Sequence, residues 1–212
     1  MDGLMFDTER LGMDAWSAAL AEFGYTYTDE LGKSIRGRND VDIHAVLSKT
    51  YGEDIPCLEV HQRTWDKLEY RLATEGVPEK PGLHELLEWL KEHKIPCALA
   101  TSSHRVKAER RCRAAGVWKY FSTVICGDMI AHSKPAPDIF LKAAEGIDAH
   151  PENCLVFEDS FNGVRAGHAG GFITIMVPDL DEPTPEICEL YTARASSLLE
   201  VRDRLAQGEW QS

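Results

Sequence analysis

Two textures divide the chain. Residues 11–75 read as helical, with many aromatics and few runs suited to strands. From Pro81 onward, short apolar runs alternate with amphipathic stretches. The segment between them, GVPEKPG at 76–82, has the Gly and Pro content of a hinge. Just after it, Leu83, Leu86, Leu87 and Leu90 recur at i, i+3, i+4 and i+7, which predicts a helix with one apolar face.

The second region then repeats one plan. The apolar part of IPCALATSS (95–103) predicts a buried strand closed by Thr101, Ser102 and Ser103, and an Arg- and Ala-rich helix follows until Gly116 stops it. STVICGD (122–128) predicts a second strand ending in Gly127-Asp128, and residues 137–147 a helix. A third strand at 154–157 closes on Glu158, Asp159 and Ser160. A helix (162–169), a fourth strand (172–177) and a closing helix (197–205) complete the pattern.

Strands alternating with helices predict an α/β fold, a Rossmann-like parallel sheet with helices on both faces. On this division residues 1–10 and 76–212 form the core and residues 11–75 an all-helical insert. Such sheets bind ligands at the carboxyl ends of their strands. The polar residues that end each strand should therefore gather at one edge.

Charge narrows the choice of ligand. Asp and Glu number 35 against 23 Lys and Arg, for a net charge of -12. That balance disfavours a nucleic-acid partner. It leaves room for a small anion, because a few local cations and a metal can reverse the sign within a cleft. The six cysteines form no CxxC pair and several lie in apolar runs, as expected of free thiols in a reducing compartment. No apolar stretch reaches about 18 residues and no signal peptide is visible. A cytoplasmic protein without a membrane partner is expected, with a monomer as the default state.

The strand-end residues supply the candidate chemistry. Glu158 and Asp159 are adjacent acids, costly at a strand end unless solvated, hydrogen-bonded or metal-bound. Oxygen donors without a His–Cys set suggest Mg²⁺. Ser160 and Asn162 can cap the next helix or hydrogen-bond a ligand. Thr101 to Ser103 bring hydroxyls to a helix start, which makes either an anion site or a plain cap. Lys134, ahead of Pro135, can hold a phosphate oxygen or neutralise a carboxylate, although alone it equally fits a surface lysine. Asp2 with Gly3 is by itself an ordinary turn. Together these residues form a consistent set for phosphoryl transfer, in which the protein mainly stabilises charge.

Other signals are weaker. Gly32-Lys33-Ser34 resembles the end of a P-loop, but the earlier glycine and the preceding strand are missing. The histidines show no metal-ligand spacing, and the GxSxG of a serine hydrolase is absent. Trp65, Trp89 and Trp118 fit packing better than base stacking.

Four segments in order carry a resemblance: DGLMFDTE (2–9), ALATSS (98–103), SKPAPDIF (133–140) and VFEDSFNGVRAG (156–167). With them the chain resembles, over essentially its whole length, the beta-phosphoglucomutase-like branch of the haloacid-dehalogenase superfamily. It is especially similar to the small phosphatases of that branch, including the pseudouridine-5'-phosphatases. The resemblance implies a Mg²⁺-dependent phosphatase of a small phosphorylated metabolite, acting through an aspartyl-phosphate. Asp2 then matches the acid and base that protonates the leaving group and activates water, its backbone carbonyl also ligating Mg²⁺. Ser102, or its neighbour Thr101, binds the transferring phosphate, with Ser103 and Asn162 at hand for substrate. Lys134 steadies phosphate and nucleophile, and Asp159 ligates Mg²⁺ with Glu158 beside it, directly or through water. The helical insert becomes a cap in which Arg36 or Arg38 holds a distal group of the substrate.

Two departures from the family pattern bear on activity. The pattern places the nucleophile two positions before Asp2, after a strand that sits in the middle of the sheet, and neither falls within these residues. A misassigned start is the leading expectation, with Met1 the internal residue of an FDMDG-type motif; a shortened chain and a catalytically silent member are the alternatives. A chain truly starting at Met1 is expected to be inactive and destabilised, because each unsatisfied buried backbone group costs on the order of 1–3 kcal/mol. Second, Gly12 stands where beta-phosphoglucomutases carry a histidine that guards the phosphoenzyme, which favours hydrolysis over the alternative, mutase activity.

Overall fold

Helix capping and apolar periodicity shape both parts of the computed structural model, which describes residues 1–36, 38 and 40–210. The chain forms two units, Met1–Asp7 with Pro78–Ser212, and Thr8–Val77. The second unit carries α1 (Thr8–Glu22), α2 (Asp29–Ile35), α3 (Asp40–Tyr51) and α4 (Cys57–Glu75). Thr28 starts α2 by accepting from the Leu31 N–H at 3.2 Å, which satisfies one of the donors a helix start leaves over. Leu20, Leu31, Ile35, Leu47, Ile55 and Val60 are its buried centre.

A buried histidine sits within this helical unit. His61 is 6% exposed, and Trp16 stacks on its ring at 5.4 Å between centroids. Trp65 Nε1, which can only donate, gives its hydrogen to His61 Nε2 at 2.7 Å. That bond leaves the ring proton of neutral His61 on Nδ1, where it faces His44 Nε2 at 3.0 Å. The two rings thus satisfy one another.

The other unit holds the strands. Gly82, in the left-handed region at φ 89°, turns the chain into α5 (Leu83–Glu92), whose four leucines are all buried. There follow β1 (Ala98–Thr101), α6 (Arg105–Ala114), β2 (Thr123–Cys126), α7 (Asp138–Glu145), β3 (Leu155–Glu158), α8 (Phe161–Ala169), β4 (Ile173–Met176), α9 (Pro185–Cys188), β5 (Ala193–Arg194) and α10 (Leu198–Ala206). Gly116 at φ 70° stands just past the end of α6, where only glycine is unstrained. Ser197 caps α10, accepting from the Glu200 N–H at 3.2 Å.

Every strand pair is parallel, with β1 on β2 in register Ala98↔Thr123, β3 on β4 in register Leu155↔Ile173, and β5 beside β4. The strands divide into two sheets, β1-β2 and β3-β4-β5. β1 and β3 each keep one edge without a strand partner among the described residues. α7 spans the division. Ile139, Phe140 and Ala143 cluster with Ile125 of β2 as well as with Val156 of β3. The short α9 and two-residue β5 lay below what periodicity can detect, since neither completes enough repeats to show a pattern.

Candidate active site

The ends of β1 and β3 place the predicted polar residues. Asp2 comes to the end of β1 through Ser103, whose hydroxyl donates to Asp2 Oδ2 at 2.9 Å. On its other side Arg111 of α6, its side chain 4% exposed, donates to Asp2 Oδ1 at 2.5 Å. Both oxygens of Asp2 therefore act as acceptors. Thr101 is buried, and its hydroxyl accepts from the Ser103 N–H at 3.2 Å. Ser102 is exposed in the same turn. Gly127 approaches this turn so closely that a Cβ would lie 2.2 Å from the Ser102 carbonyl oxygen. Asp128 accepts from the Arg105 N–H at 3.2 Å and so serves the start of α6.

At the end of β3 the Lys134 ammonium ion-pairs with Glu158 Oε1, the two side chains being 9% and 6% exposed. Glu158 Oε2 accepts from the Ser160 N–H at 3.1 Å and the Ser160 hydroxyl at 3.0 Å. Burial pushes the Glu158 carboxyl up, but the Lys134 charge, the Met1 ammonium and these hydrogen bonds outweigh it and hold it below the usual glutamate range. Ser160 also caps α8, accepting from the Gly163 N–H at 3.0 Å. Glycine is needed at 163, since a Cβ there would lie 2.0 Å from Glu158 Cδ. Asn162, in the first turn of α8, accepts from Arg165 at 3.3 Å.

Gly3 brings Asp159 to the same region. It sits at φ 77°, and a Cβ there would lie 2.1 Å from Asp159 Oδ2. The bare backbone of Gly3 thus makes a cradle for that carboxylate. Among the described residues, no three His, Cys, Asp or Glu side chains converge on one cation position. The physical reason lies in the pairings above, because Asp2 faces Arg111 and Glu158 faces Lys134.

Arg36 and Arg38 belong to the helical unit. The Arg36 N–H donates to the Gly32 carbonyl at 3.2 Å, and Arg38 Nε donates to the Ser34 carbonyl at 2.5 Å. Two residues of the site region escaped the sequence reading. Arg111 lies in a run of arginines, and Asp179 in a loop after β4 pairs with Lys80 of the hinge. No motif marks either one. Alternation along α6 offers only the weak signal that one arginine of the run faces inward beside Cys112.

Residues 1–177 match the family model described as haloacid dehalogenase-like hydrolase, and the chain belongs to that family. It is 34% identical over 171 residues to a phosphorylated carbohydrates phosphatase of Thermotoga maritima, covering 81% of this chain and 79% of that one. It is 32% identical over 205 residues to a "probable pseudouridine-5'-phosphatase" of Drosophila melanogaster, covering 94% and 86%. The crystal structure of CbbY from Rhodobacter sphaeroides in complex with phosphate superposes with a TM-score of 0.79 at 27% identity, covering 95% and 93%.

Proposed function

We propose that this haloacid dehalogenase-like hydrolase is a Mg²⁺-dependent phosphoric monoester hydrolase of a small sugar, deoxysugar or nucleoside phosphate. The observation that carries the reading is the meeting of Asp2 with Ser103 at the end of β1, alongside the buried Lys134–Glu158 pair at the end of β3. The named relatives act, by their descriptions, on phosphorylated carbohydrates and on pseudouridine 5'-phosphate, which supports this substrate class.

The attacking carboxylate in this reading is the family's aspartate two positions ahead of Asp2. It displaces the substrate's alkoxide from phosphorus and forms an aspartyl-phosphate. Asp2 gives a proton to the departing oxygen and then takes one from the water that cleaves the intermediate. Ser102, exposed in its turn, hydrogen-bonds a phosphoryl oxygen, a task for which the Thr101 hydroxyl is less accessible because it is buried. Lys134 offsets negative charge on Glu158 and on the phosphoryl group. Arg36 or Arg38 holds the distal part of the substrate, and Asn162 and Ser103 are its remaining polar neighbours.

The donor set, all oxygen, and the cradle at Gly3 fit Mg²⁺. Asp159 and the main-chain carbonyl of Asp2 would hold it, with Glu158 beside them through a water. When bound, the cation draws charge from the phosphoryl oxygens. The test is phosphate release from a panel of small phosphomonoesters with Mg²⁺, using this chain and a version extended through its upstream codons. Activity in the extended protein, lost when its upstream Asp becomes Asn, supports the reading. A well-folded extended protein that releases no phosphate from any ester overturns it.

A further inference from the structure

A further carboxylate points toward Asp159. Asp179 lies three residues past the end of β4, its side chain 5% exposed. One oxygen, Oδ1, takes the Lys80 ammonium, which also approaches Asp7 at 3.7 Å. The other, Oδ2, is buried and has no hydrogen-bond partner among the described residues. It lies 3.4 Å from where a Cβ of Gly3 would sit, and Asp159 Oδ2 lies 2.1 Å from the same point. Carboxylates from two different loops therefore converge on the backbone of Gly3, next to Asp2.

This arrangement is costly on its own. A buried acceptor without a donor costs about 1–3 kcal/mol, more when charged. A second carboxylate beside it adds like-charge repulsion. A hard cation between them relieves both terms, and Mg²⁺ is commonly held by one or two carboxylates with water completing its shell. No cage of three side chains is needed for such a site.

We propose that Asp179 is a cation-positioning carboxylate that acts with Asp159 on the divalent cation, directly or through a cation-bound water, while Lys80 fixes its orientation. The proposal rests on the phosphatase reading for the identity of the cation. It differs from a plain Lys80–Asp179 structural tie in the sign of its consequences. Removing Asp179 takes a negative charge from the cation's surroundings, whereas removing Lys80 takes away a positive one.

The experiment titrates the protein with Mn²⁺ as the probe for the Mg²⁺ position and follows free Mn²⁺ by electron paramagnetic resonance. Asp179→Asn, Lys80→Met and Asp159→Asn are compared with the unaltered protein. Circular dichroism and thermal unfolding, with and without MnCl₂, establish that each is folded. Expected are about 10- to 100-fold weaker Mn²⁺ binding in Asp179→Asn, the range seen when outer partners of a metal are removed, and equal or tighter binding in Lys80→Met. Unchanged affinity in Asp179→Asn, or an equal loss in both Asp179→Asn and Lys80→Met, overturns the proposal. If Asp159→Asn alone weakens binding, the proposal fails and the phosphatase reading stands. If the unaltered protein binds no Mn²⁺, the proposal fails together with the cation requirement of that reading.

Discussion

Replacing Lys134 by Met should convert a compensated buried pair into an isolated buried carboxylate. Lys134 and Glu158 are 9% and 6% exposed, so water can do little for the charge left behind. Breaking a buried pair from one side costs about 3–5 kcal/mol. The cost should also depend on pH, with a definite sign. In the unaltered protein the folded Glu158 carboxyl lies below its ordinary value of 4.5, so the pair's contribution is complete above that pH and is lost as pH falls through the folded value. In Lys134→Met, burial, the largest influence on this carboxyl, is opposed only by the Met1 ammonium and the Ser160 hydrogen bonds, and the folded value is expected to move above 4.5. The variant then loses stability as pH rises from about 4.5 toward neutrality. The gap between the two proteins should therefore widen from about pH 4.5 to about pH 7.5, by the amount the variant loses over that window. Urea denaturation at both pH values measures it. The double variant Lys134→Met/Glu158→Gln should recover most of the loss, because the amide oxygen can still accept from Ser160. A Lys134→Met cost below about 1 kcal/mol at pH 7.5, or the same cost at both pH values, would refute the reasoning.

Further substitutions probe other parts of the fold. Gly163→Ala should cost about 1–3 kcal/mol in urea denaturation, since its Cβ would overlap Glu158; an unchanged midpoint would mean that Glu158 can move aside freely. Gly12→Ala should stabilise by up to about 1 kcal/mol, because it lies within α1 and a Cβ there meets nothing within 4 Å; a lowered thermal midpoint would contradict that. Burial pushes the Cys126 thiol up to about 11 and those of Cys97 and Cys112 to about 12. Iodoacetamide at pH 8 should therefore label the exposed Cys188 in the native protein and these three only after denaturation, as read by peptide mass spectrometry.

Much of the fold was legible because it repeats. The leucines of α5 and the alternation of apolar runs with amphipathic stretches name elements within a residue or two of those observed. Lys134 and Glu158 were recognisable as chemically unusual, but not as partners, because no local rule links positions 24 residues apart. Asp179 and Lys80 lie 99 residues apart, and each looks ordinary in its own loop. Arg111 was hidden for a different reason. Arginine usually marks a solvated face, and its burial depends on Asp2 arriving from the other end of the chain. Strand content does not specify which edges meet, so the division of the strands into two sheets was legible only through the family resemblance, which puts a strand outside these residues in the middle of the sheet.

The position of α7 has a consequence for how the molecule opens. One apolar face, with Ile139 and Phe140 at its centre, is shared by residues of both sheets. Neither sheet can lose this cover without baring the other, so the two should behave as a single cooperative unit of local unfolding. Amide hydrogens of Ile125 in β2 and Val156 in β3 should then exchange with the same opening free energy, although no backbone hydrogen bond joins their strands.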